Sequence, residues 1–229
     1  MNRDHPKPGD LRRSPKAPEP GIRGDAVVLA GGRGQRLGRR KESVPLGGMT
    51  FLDHHITRWS ALFDRVWVSA REPLDHPLPT GVEVILDPPA ADSVIDALAA
   101  ILRRTARPTW IVAVDLPAMP REIPETLFAA HAPGTSVFVE QTVPEGTPGL
   151  EMLCGLYDPQ ALPAIEELIA SGVRRLSAIA AKTQCKVLHF PDDFPPLSGL
   201  AARSGPFYNV NTPLNLEELE GWLAEGESL

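Results

Sequence analysis

Cysteine and tyrosine are both scarce in this sequence, with two of each among 229 residues. Cys154 and Cys185 are too few for a disulfide framework and are not spaced for a zinc site. Cys154 lies in the apolar run Met152-Leu-Cys-Gly-Leu-Tyr157 with nothing basic beside it, so it reads as a packing residue more than as an activated nucleophile. No stretch approaches the ~20 apolar residues of a membrane span, and the N-terminal segment lacks the apolar run of ~7–15 residues that a signal peptide needs. Residues 1 to 24 hold five prolines and almost no apolar side chain except Leu11 and Ile22. Such a segment cannot bury enough surface to offset the entropy of ordering, which predicts a disordered tail followed by one domain over 25 to 229. A soluble, cytoplasmic protein is expected. The net charge of −6 and the absence of a basic, aromatic-rich stripe argue against nucleic-acid binding.

Against this acidic background, Val27 to Lys41 packs four glycines and five cations into fifteen residues. An apolar strand, Ala26 to Ala30, runs into Gly31, Gly32 and Gly34, which permit a sharp turn and a close backbone approach to a ligand. Main-chain N–H groups there suit an anion, and Arg33, Arg36, Arg39, Arg40 and Lys41 add local positive charge. A tight turn followed by solvated arginines would read the same way. Two common phosphate loops are excluded by spacing. A Walker loop needs Gly-Lys-Ser/Thr where this chain has Gly38-Arg39-Arg40-Lys41, and the dinucleotide fingerprint needs glycine where Leu37 stands.

Apolar periodicity predicts a helix over 50–63, strands over 65–69 and 82–86, a helix over 93–104 and an uncharged strand over 110–114. Further along, helices are expected over 122–130, 160–171, 176–182 and 215–224, and strands over 136–140, 150–157 and 186–190, with a proline-rich loop at 191–196. This order predicts a Rossmann-like, doubly wound α/β fold with a mostly parallel sheet, in which ligands gather at the carboxyl ends of strands. The Gly31 loop and Asp115 both fall there. A lone carboxylate after a buried strand caps a helix, pairs with a cation, or holds a metal. Asp87, in Leu86-Asp-Pro-Pro89, is open to a simpler reading as a turn former before proline.

With Lys41 ten residues after Gly31 and followed by Ser43-Val-Pro-Leu-Gly-Gly48, the loop resembles the signature of the molybdenum cofactor guanylyltransferases. That signature runs Leu-Ala-Gly-Gly-x-x-x-Arg-Met-Gly-x-x-Lys-x-x-x-Pro-Leu-x-Gly. Leu29, Ala30, Gly31, Gly32, Arg36, Gly38, Lys41, Pro45, Leu46 and Gly48 fall on it, with Leu37 for Met. Val112-Ala-Val-Asp-Leu-Pro-Ala-Met-Pro120 resembles the family's Cys-Asp-Met-Pro-x-x-x-Pro. Two later stretches, Gly155-Leu-Tyr157 and Asn209-Val-Asn-Thr-Pro213, look like its Gly-Leu-Tyr and Asn-x-Asn-Thr-Pro motifs. The chain departs from the family after Asp87, where Ala90 to Leu98 replaces a glycine-rich segment and adds Asp92 and Asp96, and at Ser69-Ala-Arg-Glu72, which replaces an Asn-containing one.

The resemblance implies transfer of GMP from GTP to molybdopterin, with Mg²⁺ as cofactor and pyrophosphate released. Lys41, Arg36 and Asp115 would be catalytic, with Asp115 on the metal. Leu29, Ala30, Gly31, Gly32, Lys41, Asp87 and Asp115 would bind the nucleotide. Asn209 and Asn211 would contact the pterin, or else form the turn and cap before Pro213. Transient contact with molybdoenzymes or other cofactor-synthesis proteins is a further expectation. Related enzymes that use CTP or a sugar phosphate share the loop, and an inactive nucleotide-binding regulator would also fit the altered 90–98 segment.

Overall fold

The computed structural model describes residues 21–31, 37–75, 77–141 and 149–228. Gly32 and Arg36 lie outside the described residues, as do 1–20 of the expected tail. The first strand, β1 (Ile22–Leu29), begins four residues before Ala26, so the last residues of the 1–24 segment belong to the sheet. What extends it is Asp25, buried to 0% exposure at the strand's lower end, where the Trp67 indole N–H donates to its carboxylate at 3.0 Å and an Arg107 nitrogen lies 3.1 Å away. Pairing offsets the cost of removing that charge from water.

After a single 3₁₀ turn (Lys41–Ser43) come a short hairpin, β2 (Pro45–Leu46) and β3 (Met49–Thr50), and then α1 (Phe51–Ser60) and β4 (Phe63–Ala70). Gly47 and Gly48, both at positive φ, make the turn between β2 and β3, which accounts for the glycines after Pro45-Leu46 in backbone terms. Thr50 caps α1 in a reciprocal box with Asp53, which is why the helix starts one residue after the expected Thr50. β5 (Glu83–Leu86), α2 (Val94–Thr105), β6 (Thr109–Ala113), α3 (Glu122–Ala130) and β7 (Ser136–Gln141) follow. The second half adds β8 (Gly149–Leu150), β9 (Cys154–Tyr157), α4 (Leu162–Ala170), α5 (Ser177–Lys182), β10 (Cys185–Phe190), α6 (Gly199–Ser204) and α7 (Pro213–Ala224). The hairpin and α6 are too short to leave a periodic signal in the sequence.

An eight-stranded sheet in the order β10-β7-β9-β6-β1-β4-β5, with β8 beside β7, forms the centre of the fold. β6, β1, β4 and β5 run parallel, whereas β9 runs antiparallel between β6 and β7. Side chains alternate across β1: Ala26 and Val28 enter the core beneath α1 and α3, and Val27 enters the core beneath α2 and α4. Both faces are covered, which is why the strand reads as uninterrupted apolar sequence. In the first core Phe63 stacks on Trp110 at 5.7 Å, and the edge of Trp59 meets Trp110 at 4.5 Å.

The strand expected over 150–157 is broken. Glu151 to Leu153 leave the ladder in a turn closed by Met152 N–H to the Leu150 carbonyl at 2.9 Å and Cys154 N–H to the Glu151 carbonyl at 3.1 Å. Beyond that turn, Gly155 has no room for a side chain, because a Cβ there would lie 2.7 Å from the buried Phe138 ring. We therefore expect Gly155→Ala to cost ~1–3 kcal/mol by overpacking, read as a lower urea midpoint with an unchanged slope. A wild-type midpoint would show that the ring moves aside freely.

Candidate active site

The carboxyl ends of β1, β4, β5 and β6 open on one side of the sheet, as the parallel order requires. Asp115 stands just beyond β6. It does not cap a helix, since α3 starts only at Glu122. Instead the Lys41 ammonium, carried on the 3₁₀ turn after β1, donates to its carboxylate and also to the side-chain carbonyl of Asn211. Asn209, with its amide nitrogen turned toward Asp115, donates to both carboxylate oxygens at 3.0 and 2.8 Å. The Val210 N–H donates to the Asp115 carbonyl at 2.9 Å. Lys41, Asp115, Asn209 and Asn211 thus form one hydrogen-bonded cluster assembled from three distant stretches of chain. Thr212 meanwhile caps α7 in a reciprocal box with Asn215, so Thr212 makes the cap and the two upstream asparagines are left for the cluster.

Helix α1 supports the Asp115 loop from the core side. Trp59 donates its indole N–H to His55 Nδ1 at 2.9 Å, which leaves Nε2 as the donor to the Val114 carbonyl at 3.3 Å. One turn on, Arg58 donates to the Pro117 carbonyl at 3.2 Å and to that of Met119. Burial, reinforced by the nearby Arg58 charge and opposed by the Val114 carbonyl, pushes the His55 pKa down to about 3. His55 is therefore a neutral strut.

Beside the cluster lies a cavity of about 540 Å³. Of the residues expected at a nucleotide site, Leu29, Gly31, Lys41, Asp87 and Asp115 line it, and so does Asn209, expected at the pterin. Ala30 is not among the lining residues, and its amide is committed to the Ser69 carbonyl at 2.8 Å. Asp87 faces the cavity while a turn, Ala91 N–H to the Pro88 carbonyl at 2.8 Å, follows it, so it is both a lining residue and a turn neighbour. Burial pushes its carboxyl pKa up, against the Arg71 guanidinium and the Ser69 hydroxyl.

In the altered 90–98 segment, the lining side chains are Ser93, Val94 and Ala97. Neither added carboxylate faces the cavity. Asp96 folds back to accept from the Ser93 and Asp92 amides, and Arg174 holds Asp92 at 2.7 Å. Local pairing thus takes up both added carboxylates. Cys154 is wholly buried, with burial raising its thiol pKa, which leaves it a packing residue. Sequence reasoning missed Arg71, Glu151, Arg175 and Ser177, which also line the cavity. For Arg71 its place directly after a strand was an available signal, whereas the others depend on the break at 151–153 and the packing of α5.

Residues 26–187 match the family model described as a MobA-like NTP transferase domain. A molybdenum cofactor guanylyltransferase of Sinorhizobium fredii is 32% identical over 206 residues, covering 86% of this chain and 91% of its own length. A probable molybdenum cofactor guanylyltransferase of Deinococcus radiodurans is 32% identical over 198 residues, covering 86% and 93%. Among solved structures, the molybdopterin-guanine dinucleotide biosynthesis protein A of Archaeoglobus fulgidus superposes with a TM-score of 0.68 at 20% identity, covering 88% of this chain and 99% of that one. The 2-C-methyl-D-erythritol 4-phosphate cytidylyltransferase of Thermus thermophilus gives 0.65 at 15% identity, covering 89% and 100%. At these identities the two structures bear on the fold, which is mixed, mostly parallel and flanked by helices as expected.

The neutral state of His55 sets a pH dependence. An unfolded chain protonates this imidazole below about 6.5, and the folded protein does so only near 3. Its contribution to stability is therefore complete above pH 6.5 and is lost as pH falls toward 3, at a slope on the order of 1 kcal/mol per pH unit. Urea unfolding of wild type and His55→Gln between pH 7 and 4 should show the gap between them shrinking as pH falls. A constant gap would rule the neutral strut out.

Proposed function

The chain belongs to the MobA-like NTP transferase family of nucleotidyltransferases, and we propose that it transfers GMP from GTP to molybdopterin, forming the guanine dinucleotide cofactor and pyrophosphate. The observation that carries this reading is the Lys41–Asp115–Asn209–Asn211 cluster at the edge of the cavity. In the proposed reaction a terminal phosphate oxygen of molybdopterin attacks the α-phosphorus of GTP, a new P–O bond forms, and the bond to the β-phosphate breaks. No protein nucleophile is required. The protein positions two anions and neutralises the charge that develops between them.

Lys41 is suited to the triphosphate, with Gly31 on the lining of the same cavity. Arg36 and Gly32 complete the proposed loop by their place in the signature. Asp115 is the residue that would hold Mg²⁺. A single carboxylate suits this ion, which keeps several waters and takes substrate phosphates as its remaining ligands. Among the described residues no group of three or more His, Cys, Asp or Glu side chains offers a competing site. Bound Mg²⁺ supplies a Lewis acid that draws off phosphoryl charge. Asn209, by donating to both carboxylate oxygens, fixes the direction in which Asp115 faces. We assign Asn209 and Asn211 to the support of Asp115 and Lys41, with pterin contact as a second role. The fit of Asp87 is to the nucleoside, since it lies beyond β5 and away from the Lys41 cluster.

Lys41→Ala and Asp115→Ala are each expected to lower transfer by ~10²–10³-fold or more while circular dichroism stays native. Wild-type rates in either variant would end the assignment. Thermal shifts with Mg²⁺ and each nucleoside triphosphate should be largest for GTP, because a ligand that binds only the folded state raises its melting temperature. A larger shift with CTP would transfer the protein to the cytidylyl branch. Binding without pyrophosphate release, when molybdopterin is supplied, would instead mark an inactive regulator.

A further inference from the structure

The break in the strand at 151–153 puts an acidic side chain where nothing among the described residues balances it. The backbone of Glu151 is held in place, its amide donating to the Val139 carbonyl at 2.8 Å and its carbonyl accepting from the Cys154 amide at 3.1 Å across the turn. Its side chain lines the cavity. Among the described residues no donor reaches its carboxylate and no cation pairs with it. Leu150 and Met152 flank it in sequence, and the cavity it lines has apolar Val94, Ala97 and Leu176 beside polar Ser93, Arg175 and Ser177. Burial raises its proton affinity, as expected of a carboxylate with no compensating partner. Asp87, the other half-buried carboxylate on the lining, differs from Glu151 in having the Ser69 hydroxyl at 3.5 Å and the Arg71 guanidinium nearby. Arg175 lines the cavity and makes no ion pair among the described residues.

Apolar walls with a few polar groups accommodate a flat heterocycle, its faces on the walls and its edge read by hydrogen bonds. A carboxylate presents two acceptors side by side. Its complement is a ring N–H next to an exocyclic amino group. Guanine has that edge and so does a pterin, both being 2-amino-4-oxopyrimidines. Adenine and cytosine place a ring acceptor next to their amino group and cannot satisfy both carboxylate oxygens.

We propose that Glu151 is a specificity-determining residue, its carboxylate accepting from the ring N–H and the amino group of a 2-amino-4-oxopyrimidine bound in the cavity. Arg175 and Ser177 supply donors on the same lining for the ring carbonyl. The assignment rests on the substrates proposed above, both of which carry this edge. It differs from a structural role for Glu151, which would not distinguish ligands by a single amino group.

Calorimetry on wild type and Glu151→Gln, with Mg²⁺ and GTP, with Mg²⁺ and ITP, and with neopterin, separates the cases. ITP keeps the ring N–H of guanine and lacks only the amino group. If the ring is the nucleotide's, wild type binds GTP roughly 10-fold or more tighter than ITP, and Glu151→Gln loses that preference by weakening GTP alone. If the ring is the pterin, Glu151→Gln weakens neopterin by a similar factor and leaves both nucleotides unchanged. Unaltered affinities for all three ligands, or an equal loss for all three, overturn the assignment. Wild-type protein that prefers CTP to GTP overturns the substrate reading itself, a result distinguishable from failure at Glu151 alone.

Discussion

The site depends on the contact between the Lys41 ammonium and the Asp115 carboxylate, which lie 74 residues apart in sequence and are mostly shielded from water. Two opposite charges in such a place stabilise each other only if their remaining hydrogen-bonding capacity is met. Asn211 accepts from the ammonium and Asn209 donates to the carboxylate. Much of the fold can be seen as the means of bringing these groups together. Strands β1 and β6 pair in parallel and deliver the glycine loop and Asp115 to the same edge. Helix α1 braces the Asp115 loop through His55 and Arg58, and the segment before α7 closes over both charges.

The parts legible in the sequence were those with a local physical cause. Uncharged strands at Val27 and Trp110, the amphipathic helices, and the carboxylate placed immediately after a buried strand all follow from periodicity and burial, and the structure has them. The spacing from Gly31 through Lys41 to Gly48 was legible as a family signature, although its hairpin was not, because two-residue strands leave no periodic trace. Asp25 concealed the true start of β1. A charge normally ends a buried strand, and the residues that neutralise it, Trp67 and Arg107, are remote in sequence. The role of Asn209 was ambiguous for a similar reason: an Asn before Thr-Pro suits a turn or a ligand, and only the position of Asp115 decides between them. Glu151 could not be singled out at all, since its isolation is a property of the cavity.

The altered segment before α2 illustrates how a departure from a motif is absorbed locally. Two carboxylates stand where the resembled signature has a glycine-rich stretch, yet one completes the capping box at Ser93 and the other is drawn to Arg174. The lining left behind is a hydroxyl and two small or branched apolar groups. That is a change in the shape and polarity of the cavity more than in its charge.

The order in which the cluster is assembled along the chain also matters. The last strand of the sheet ends at Phe190, whereas Asn209 and Asn211 come after it. A nascent chain folded as far as β10 would hold every strand, both cores in large part, and the Lys41 and Asp115 side chains. It would still lack the groups that orient them. The orientation of the two charges is therefore completed later than the sheet, and a molecule clipped after β10 would keep Lys41 and Asp115 without the asparagines that hold them.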